Sequence, residues 1–253
     1  MPDVHLTRIG AHAARIEIDN PPANALGSAL RRRFLEHLDA LDADPGLRAV
    51  VVTGRGGAFC SGDDLKEQEA VQTQGAAARK ALLGEFASLL ARIEAFRAPV
   101  IAAIGGWCMG GGLELALACD IRIASTEAKL VCAGVNIGLM ASAWRLPRAI
   151  GMARAKHMLL TGLPQDAATA ERHGLVTAVH EPDTLQEAAT RLAERIATRA
   201  PLSVEATKRV ASLPPAEGAA AAAAEMEALV RSADHAEALA AFREKREPRF
   251  GRK

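Results

Sequence analysis

One stretch of the sequence decides the fold, Pro99-Val-Ile-Ala-Ala-Ile-Gly-Gly-Trp-Cys-Met-Gly-Gly-Gly-Leu-Glu-Leu-Ala-Leu-Ala-Cys-Asp120. Its apolar run from Val100 to Ile104 is typical of a buried strand. A glycine-rich turn follows over residues 105–112, and residues 113–119 are apolar with helical character. Strand, turn and helix together direct backbone N–H groups and the positive end of a helix dipole at one point.

The glycine-rich turn does not have the pattern of a phosphate-binding loop. It lacks GxGxxG spacing, and no Gly-Lys-Ser or Gly-Lys-Thr follows it. N–H groups at the start of a helix suit instead a negative charge that develops on an oxygen atom during a reaction. The purely structural alternative is a tight turn before a glycine-rich helix entry.

Glu114 lies in the first turn of the predicted helix, among apolar neighbours. A desolvated carboxylate costs several kcal/mol unless it has a partner, a favourable field or a task. The structural explanation is a helix dipole that favours a carboxylate there by about 0.3–1 kcal/mol. The functional explanation, which we favour, is that Glu114 deprotonates a water molecule or returns a proton to carbon.

Composition excludes several classes of function. The chain has 253 residues, with 31 basic and 30 acidic side chains, so its charge does not indicate a nucleic acid or a membrane surface as partner. It has no apolar run of about 18 residues and no N-terminal apolar segment of the secretory type. Four cysteines without a CxxC pattern predict reduced thiols and a cytoplasmic enzyme, and no His/Cys cluster indicates a metal site.

The first half of the chain alternates strands and helices, and the part after residue 183 is helical only. We expect Ser28 to cap the first helix, Arg31-Arg-Arg33 to form a solvated helix face, and residues 67–75 to be mobile. The predicted strands are 4–9, 14–19, 48–53, 100–104, 120–125 and 129–132. The predicted helices after residue 183 are 185–199, 201–212, 216–231 and 235–246. This order indicates an α/β core followed by a helical extension.

The glycine-rich stretch resembles that of the crotonase (enoyl-CoA hydratase/isomerase) family, and so do other segments in family order. They are Asn24-Ala-Leu26, Val50-Val-Val-Thr-Gly54, Ala58-Phe-Cys-Ser-Gly-Asp-Asp-Leu-Lys66, Leu160-Thr-Gly162, Gly174-Leu-Val176 and Phe242-Arg-Glu-Lys-Arg246. The resemblance covers nearly the whole chain. It implies a spiral of ββα turns over residues 1–195 and a C-terminal helical region over 196–253 that packs in a homotrimer or hexamer.

The resemblance also implies roles for individual residues. The N–H groups of Gly111 and Asp63 would form an oxyanion hole for the carbonyl of an acyl-CoA thioester, although the family usually has alanine where Asp63 stands. Glu114 matches a catalytic glutamate of the family. The predicted CoA-binding residues are Ala25, Leu26, Asp64, Leu65 and Lys66. No separate cofactor is expected, because CoA is part of the substrate.

The chain departs from the family at its second catalytic glutamate. Gly134 stands where that glutamate belongs, and the following loop is shortened to Leu139-Met-Ala-Ser-Ala-Trp-Arg145. No carboxylate lies between Glu127 and Asp166, and the nearby Asn136, Ser142 and Cys132 are weak bases. Asp63 is a further candidate for the missing partner. If only that partner limits hydration, Gly134→Glu is expected to raise the rate.

Three functions are compatible with these residues. The first is hydration or dehydration of a 2-enoyl-CoA with Glu114 and the oxyanion hole. The second is another reaction through a thioester enolate, such as decarboxylation or a specialised dehydration, in which one acid/base group suffices. The third is an acyl-CoA-binding protein without turnover. Gly134 favours the second and third functions, whereas Glu114 with the glycine-rich turn favours the first two.

Overall fold

The computed structural model describes residues 1–253 as an α/β protein. Its strands are β1 (Asp3–Ile9), β2 (Ala13–Asp19), β3 (Ala25–Leu26), β4 (Ala49–Gly54), β5 (Ala58–Cys60), β6 (Gly62–Asp63), β7 (Val100–Ile104), β8 (Trp107–Met109), β9 (Ile121–Ser125), β10 (Lys129–Val131), β11 (Gln165–Asp166) and β12 (Ala178–His180). Its helices are α1 (Ser28–Asp42), α2 (Leu65–Gln72), α3 (Ala76–Glu94), α4 (Gly111–Ala118), α5 (Arg145–Ile150), α6 (Met152–Thr161), α7 (Ala167–Arg172), α8 (Leu185–Ala197), α9 (Pro201–Ala211), α10 (Pro215–Val230) and α11 (Ala233–Glu244).

The strands form two sheets and one separate pair. The larger sheet has the order β1-β2-β4-β7-β9-β12, the smaller one has the order β11-β10-β8-β5, and β3 pairs with β6. In the larger sheet β1 is antiparallel to β2, and the pairs from β2 onward are parallel. Successive chain segments thus place one strand in each sheet before a helix, as in β7-β8-α4. The predicted spiral of ββα turns is confirmed.

The larger sheet is buried on both faces, as the continuous apolar runs of its central strands predict. Along β7, Val100, Ala102 and Ile104 face the main core, whereas Ile101 and Ala103 face a second cluster with α8. Successive side chains of a strand point to opposite faces, so both faces need a covering layer. Helix α8 provides that layer with Leu185, Ala188, Ala189 and Ala193.

The start of α1 differs from the sequence prediction. Gly27, not Ser28, is the N-cap residue, and no side chain of the cap position bonds the helix. The Ser28 N–H donates instead to the Glu67 carboxylate at 2.8 Å, and the Ser28 hydroxyl accepts from Arg31 at 3.0 Å. The prediction of a Ser28 cap was wrong because a carboxylate from α2 takes that role.

Residues 67–75, predicted to be mobile, are mostly helical. Helix α2 begins after Asp64, whose carboxylate accepts the N–H groups of Lys66 at 2.9 Å and Glu67 at 3.4 Å. This cap satisfies donors that the first turn of any helix leaves free. The polar composition is therefore compatible with a helix here, and the mobility of the segment stays a prediction.

The four helices predicted after residue 183 are all present, and each begins and ends within two residues of the expected position. The predicted boundary between residues 195 and 196 falls inside α8, which packs on the larger sheet. The division into a core and a C-terminal region stays a prediction. No helix combines the length and the hydropathy that a membrane span requires.

Candidate active site

The glycine-rich turn and the segment around Gly62 meet at very short range. A Cβ atom on Gly62, whose φ is +95°, would lie 2.5 Å from the Gly111 nitrogen. A Cβ on Gly112 would lie 1.9 Å from the carbonyl oxygen of Cys60. Side chains at these positions would push the two backbones apart, so glycine is required there.

This close approach brings the two predicted oxyanion-hole donors into one region. Gly111 is the first residue of α4, and the N–H groups at the start of a helix have no acceptor within it. Asp63 directly follows Gly62, and β6 is held in place by the parallel pairing of Leu26 with Asp63. The N–H groups of Gly111 and Asp63 thus come from two segments that contact each other. Their role as oxyanion donors stays a prediction.

The carboxylate of Asp63 is neutralised within the fold. It accepts a hydrogen bond of 2.7 Å from Arg31, whose residue surface is only 1% exposed. Burial raises the pKa of the Asp63 carboxyl, and the guanidinium of Arg31 acts in the opposite direction. The prediction that Arg31 belongs to a solvated helix face was wrong, since it is among the largest fully buried side chains.

Arg31 also joins three helices around the predicted hole. Besides Asp63 it contacts the Ser28 hydroxyl at 3.0 Å, and the carboxylates of Glu67 and Glu85 at 3.4 Å each. Its guanidinium carbon lies 5.8 Å from the centre of the Phe86 ring. A buried cation requires such partners. The contacts hold α1, α2 and α3 in fixed positions beside β6.

Glu114 lies in the first turn of α4, as predicted, and both of its carboxylate oxygens are engaged. Oε1 accepts the backbone N–H of Ser142, and Oε2 accepts a hydrogen bond of 2.8 Å from Nη1 of Arg145. Only 12% of each of the Glu114 and Arg145 side chains remains exposed. The carboxylate predicted to be catalytic is therefore held in one orientation at the end of the glycine-rich turn.

Sequence reasoning missed Arg145 and the role of the Ser142 backbone. Arg145 also binds Glu94 through two hydrogen bonds of 2.8 and 3.1 Å, and its guanidinium carbon lies 4.2 Å from the Trp144 ring centre. A signal was present, because Arg145 stands in a segment without any carboxylate between residues 127 and 166. A cation of this segment that becomes buried, as Arg145 does, needs an acidic partner from elsewhere in the chain.

Gly134 lies in a 3-10 helix over Ala133–Ile137 and is packed against the shortened loop. A Cβ at this position would lie 2.9 Å from the carbonyl oxygen of Leu139 and 3.0 Å from the nitrogen of Ala141. The loop backbone fills the space that a side chain would need. The expectation that Gly134→Glu raises hydration is therefore withdrawn on steric grounds.

The other polar residues near Gly134 have different structural roles. The Asn136 side chain donates to the carbonyl of Gly162 at 3.1 Å. Cys132 is buried, and burial raises the pKa of its thiol to about 12. Ser142 is buried and binds Glu114 through its backbone N–H. None of these groups supplies a second base at neutral pH.

The predicted CoA-binding residues lie on β3 and at the start of α2. Ala25 and Leu26 pair with Gly62 and Asp63, but the Leu26 side chain is fully buried in the core. Asp64 uses its carboxylate as the N-cap of α2. Leu65 and Lys66 are exposed at the protein surface. All five thus lie in β3, which pairs with β6, or in the segment that directly follows β6, and their contact with CoA stays a prediction.

The sequence profile for enoyl-CoA hydratase/isomerase proteins matches residues 8–253. The chain belongs to this family. The crotonase resemblance inferred from the motifs is thereby confirmed, and with it an enzyme of the enoyl-CoA hydratase type that acts on acyl-CoA.

Two solved structures and one relative illustrate the family match. The crystal structure of an enoyl-CoA hydratase from Bacillus anthracis superposes with a TM-score of 0.93 at 32% identity, over 99% of each chain. That of an enoyl-CoA hydratase from Mycobacterium smegmatis gives 0.90 at 29% identity, over 98% of each chain. The (E)-benzylidenesuccinyl-CoA hydratase of Thauera aromatica is 41% identical over 210 residues, 81% of this chain and 80% of its own length.

Proposed function

We propose that this enzyme adds water to the double bond of a 2-enoyl-CoA, with Glu114 as its only acid/base group. The observation that carries the proposal is the position of Glu114 in the first turn of α4, directly after the N–H donors of the glycine-rich turn. A carboxylate and an oxyanion hole are the two groups that such an addition needs, and the start of α4 supplies the carboxylate and one of the two proposed donors.

The reaction requires the transfer of one proton and the stabilisation of one negative charge. The thioester oxygen accepts hydrogen bonds from the N–H groups of Asp63 and Gly111. As the water oxygen bonds to the β-carbon, the electrons of the double bond move towards the α-carbon and the thioester oxygen, and an enolate forms. Glu114 takes one proton from the water and returns it to the α-carbon. The product contains all atoms of one water molecule and one enoyl-CoA.

A single carboxylate has enough acceptor positions for this role. Its two oxygens together offer about four lone-pair sites, and Ser142 and Arg145 use two of them. The others are able to accept a proton from water. Since residue 134 is a packed glycine, no side chain at that position supplies a second base.

The test is a hydration assay with 2-enoyl-CoA thioesters of increasing length and one aryl-substituted thioester, cinnamoyl-CoA. The aryl thioester is included because of the name of the Thauera aromatica relative. Product formation is followed by loss of the conjugated thioester absorbance and by mass spectrometry for the gain of one water. The variants are Glu114→Gln and, as matched control, Glu127→Gln, whose side chain is exposed.

We expect Glu114→Gln to lower kcat by about 10²–10⁴-fold, or about 3–5 kcal/mol in the barrier. Calorimetric affinity for saturated butyryl-CoA is expected to change little, because the proposed hole consists of backbone groups. Glu127→Gln is expected to retain full activity. A wild type that binds these thioesters without turnover, together with an unchanged Glu114→Gln variant, would replace the hydratase proposal with an acyl-CoA-binding function.

We further propose that the active form is a homotrimer or a hexamer built from it. In α11 Phe242 is 84% exposed and Leu239 is 49% exposed, whereas Ala241 is buried against its own chain. Large apolar side chains exposed together favour association. Light scattering is expected to give a mass of three or six chains, and a monomer at micromolar concentration would contradict the proposal.

We also propose that the enzyme works in the cytoplasm. Its four cysteines are free and buried, which supports a reducing compartment.

A further inference from the structure

Three helix termini meet at the guanidinium of Arg145. Glu94 is the last residue of α3, Arg145 is the first residue of α5, and Glu114 lies in the first turn of α4. The Glu94 carboxylate accepts from Nε at 2.8 Å and from Nη2 at 3.1 Å. The remaining nitrogen, Nη1, donates to Glu114 at 2.8 Å. Glu94 thereby fixes the plane of the guanidinium, and this plane fixes Glu114.

The chain of ion pairs from Glu94 through Arg145 to Glu114 is buried at its Glu114 end and exposed to solvent at its Glu94 end. The Arg145 side chain is 12% exposed, and the Glu94 side chain is 37% exposed. The Trp144 ring stacks on the guanidinium at 4.2 Å. A groove of about 980 Å³, lined in part by Glu94, Trp144 and Arg145, reaches this point from outside. The guanidinium therefore separates solvent in the groove from the carboxylate.

An enzyme with one acid/base group depends strongly on where that group stands. An error of 1 Å in the position of a reacting group is able to cost about 100-fold in rate. In this chain no side chain at position 134 helps to place the water. Both oxygens of Glu114 are instead held by hydrogen bonds from the Ser142 backbone and from Arg145.

We propose that Arg145, oriented by Glu94, is the positioning residue for Glu114 in this reaction. This inference rests on the proposed hydration. The guanidinium attracts Glu114 as long as the carboxylate is ionised, so it holds the base in place while water approaches. Once Glu114 has taken the proton, that attraction is lost, and transfer of the proton to the α-carbon restores it. Arg145 thereby acts through Glu114 and does not contact the substrate itself.

The test compares Arg145→Ala, Arg145→Lys and Glu94→Gln with a matched control, Arg148→Ala. Arg148 lies on the same helix and also stacks on Trp144, at 5.9 Å, but its one hydrogen bond goes to the Ser212 carbonyl and not to a carboxylate. For each variant, kcat and KM for an enoyl-CoA, the affinity for butyryl-CoA and the melting temperature are measured.

We expect Arg145→Ala to lower kcat by about 10–100-fold with little change in the affinity for butyryl-CoA. Arg145→Lys and guanidine at a non-denaturing concentration, which enters through the groove, are expected to restore part of the loss. Glu94→Gln is expected to lower kcat less than Arg145→Ala does. The double variant Glu94→Gln/Arg145→Ala is expected to have nearly the same kcat as Arg145→Ala alone. In a Glu114→Gln background, Arg145→Ala is expected to leave the residual rate unchanged.

Three results would overturn the positioning role while leaving hydration intact. The first is an active Arg145→Ala variant whose kcat equals that of Arg148→Ala. The second is a loss of kcat that persists undiminished in the Glu114→Gln background. The third is a loss of kcat that follows the melting temperature and is rescued neither by Arg145→Lys nor by guanidine. A wild type without turnover would instead overturn the proposed function, so the two failures are distinguishable.

Discussion

The guanidinium of Arg31 donates a hydrogen bond of 2.7 Å to the carboxylate of Asp63, the residue whose N–H is a predicted oxyanion donor. A carboxylate beside an oxyanion hole would oppose the negative charge that the hole stabilises. The positive charge of Arg31 balances the negative charge of the Asp63 carboxylate, and the carboxylate in turn balances the buried guanidinium. The aspartate at position 63 is therefore accompanied by a cation supplied by α1.

The first prediction concerns this pair. Asp63→Ala removes the closest partner of a buried guanidinium, and breaking such a pair typically costs about 3–5 kcal/mol. We expect the free energy of unfolding to fall by an amount near the lower end of this range, because Glu67 and Glu85 remain 3.4 Å from the guanidinium. Urea denaturation measures this change in the free energy of unfolding. Glu36→Ala, which breaks the exposed pair of Arg33 and Glu36, is the control and is expected to cost less than about 1 kcal/mol. Equal losses in both variants would contradict the prediction.

The second prediction concerns Gly134. A Cβ atom 2.9 Å from the Leu139 carbonyl oxygen forces the loop backbone to move, so Gly134→Ala is expected to destabilise the protein by about 1–3 kcal/mol. Gly134→Glu is expected to destabilise it at least as much, and not to raise the hydration rate.

The control for Gly134 is Gly84→Ala, in the middle of α3. A Cβ there meets no atom within 4 Å, and alanine in a helix interior is favoured over glycine by about 0.5–1 kcal/mol. Melting temperatures are expected to fall for Gly134→Ala and to rise for Gly84→Ala. A Gly134→Glu variant with faster hydration than wild type would show that the loop yields and that the missing carboxylate limits the rate.

The third prediction concerns the cysteines, which are all buried and free. Burial raises the pKa of the thiols of Cys60, Cys119 and Cys132 to about 12, and that of Cys108 well above its usual value. At pH 8 only about one thiol in 10⁴ with such a pKa is the reactive thiolate. We expect Ellman's reagent to label none of them in the native enzyme and all four after denaturation. Rapid native labelling of one equivalent would show that a cysteine is accessible.

The fourth prediction concerns pH and the buried Glu205. Burial alone would raise the pKa of its carboxyl, but hydrogen bonds from Arg252 at 2.8 and 3.0 Å and from Arg97 at 3.0 Å outweigh it, and the pKa is lowered. A group with a lower pKa in the folded state stabilises the fold above its unfolded pKa, about 4.3, and loses that contribution as the pH falls through the folded value.

Glu205→Gln is therefore expected to lower the free energy of unfolding by about 2 kcal/mol at pH 7 and to weaken its dependence on pH below about 5. The measurement is urea denaturation between pH 3 and about 7. The control Glu194→Gln changes an exposed carboxylate of α8 that has no hydrogen-bonded partner, and both the stability and its pH dependence are expected to stay as in wild type. If the free energy of unfolding of Glu205→Gln falls below about pH 5 as steeply as that of wild type, the stabilising role of the ionised Glu205 is contradicted.

Local patterns in the sequence were sufficient for most elements of the fold. The apolar run of β7 is observed over the predicted residues, Val100–Ile104, and the helix with Glu114 in its first turn follows the glycine-rich turn. Such elements follow from hydrophobic periodicity and from glycine, which act between neighbouring residues. The family resemblance supplied the spiral, because no internal repeat in the sequence indicates it.

The tertiary structure alone decided the electrostatics of the site. Arg31 and Asp63 are 32 positions apart in the chain, and Arg145 and Glu114 are 31 positions apart. No local pattern predicts that such residues meet, because a buried ion pair depends on how separate helices pack. The same reason applies to α2, whose polar sequence is stabilised by the Asp64 cap and by the contact of Glu67 with Arg31. The sequence by itself therefore predicted Glu114 as the base, and the packing of α1, α3 and α5 decided which partners hold Glu114 and Asp63.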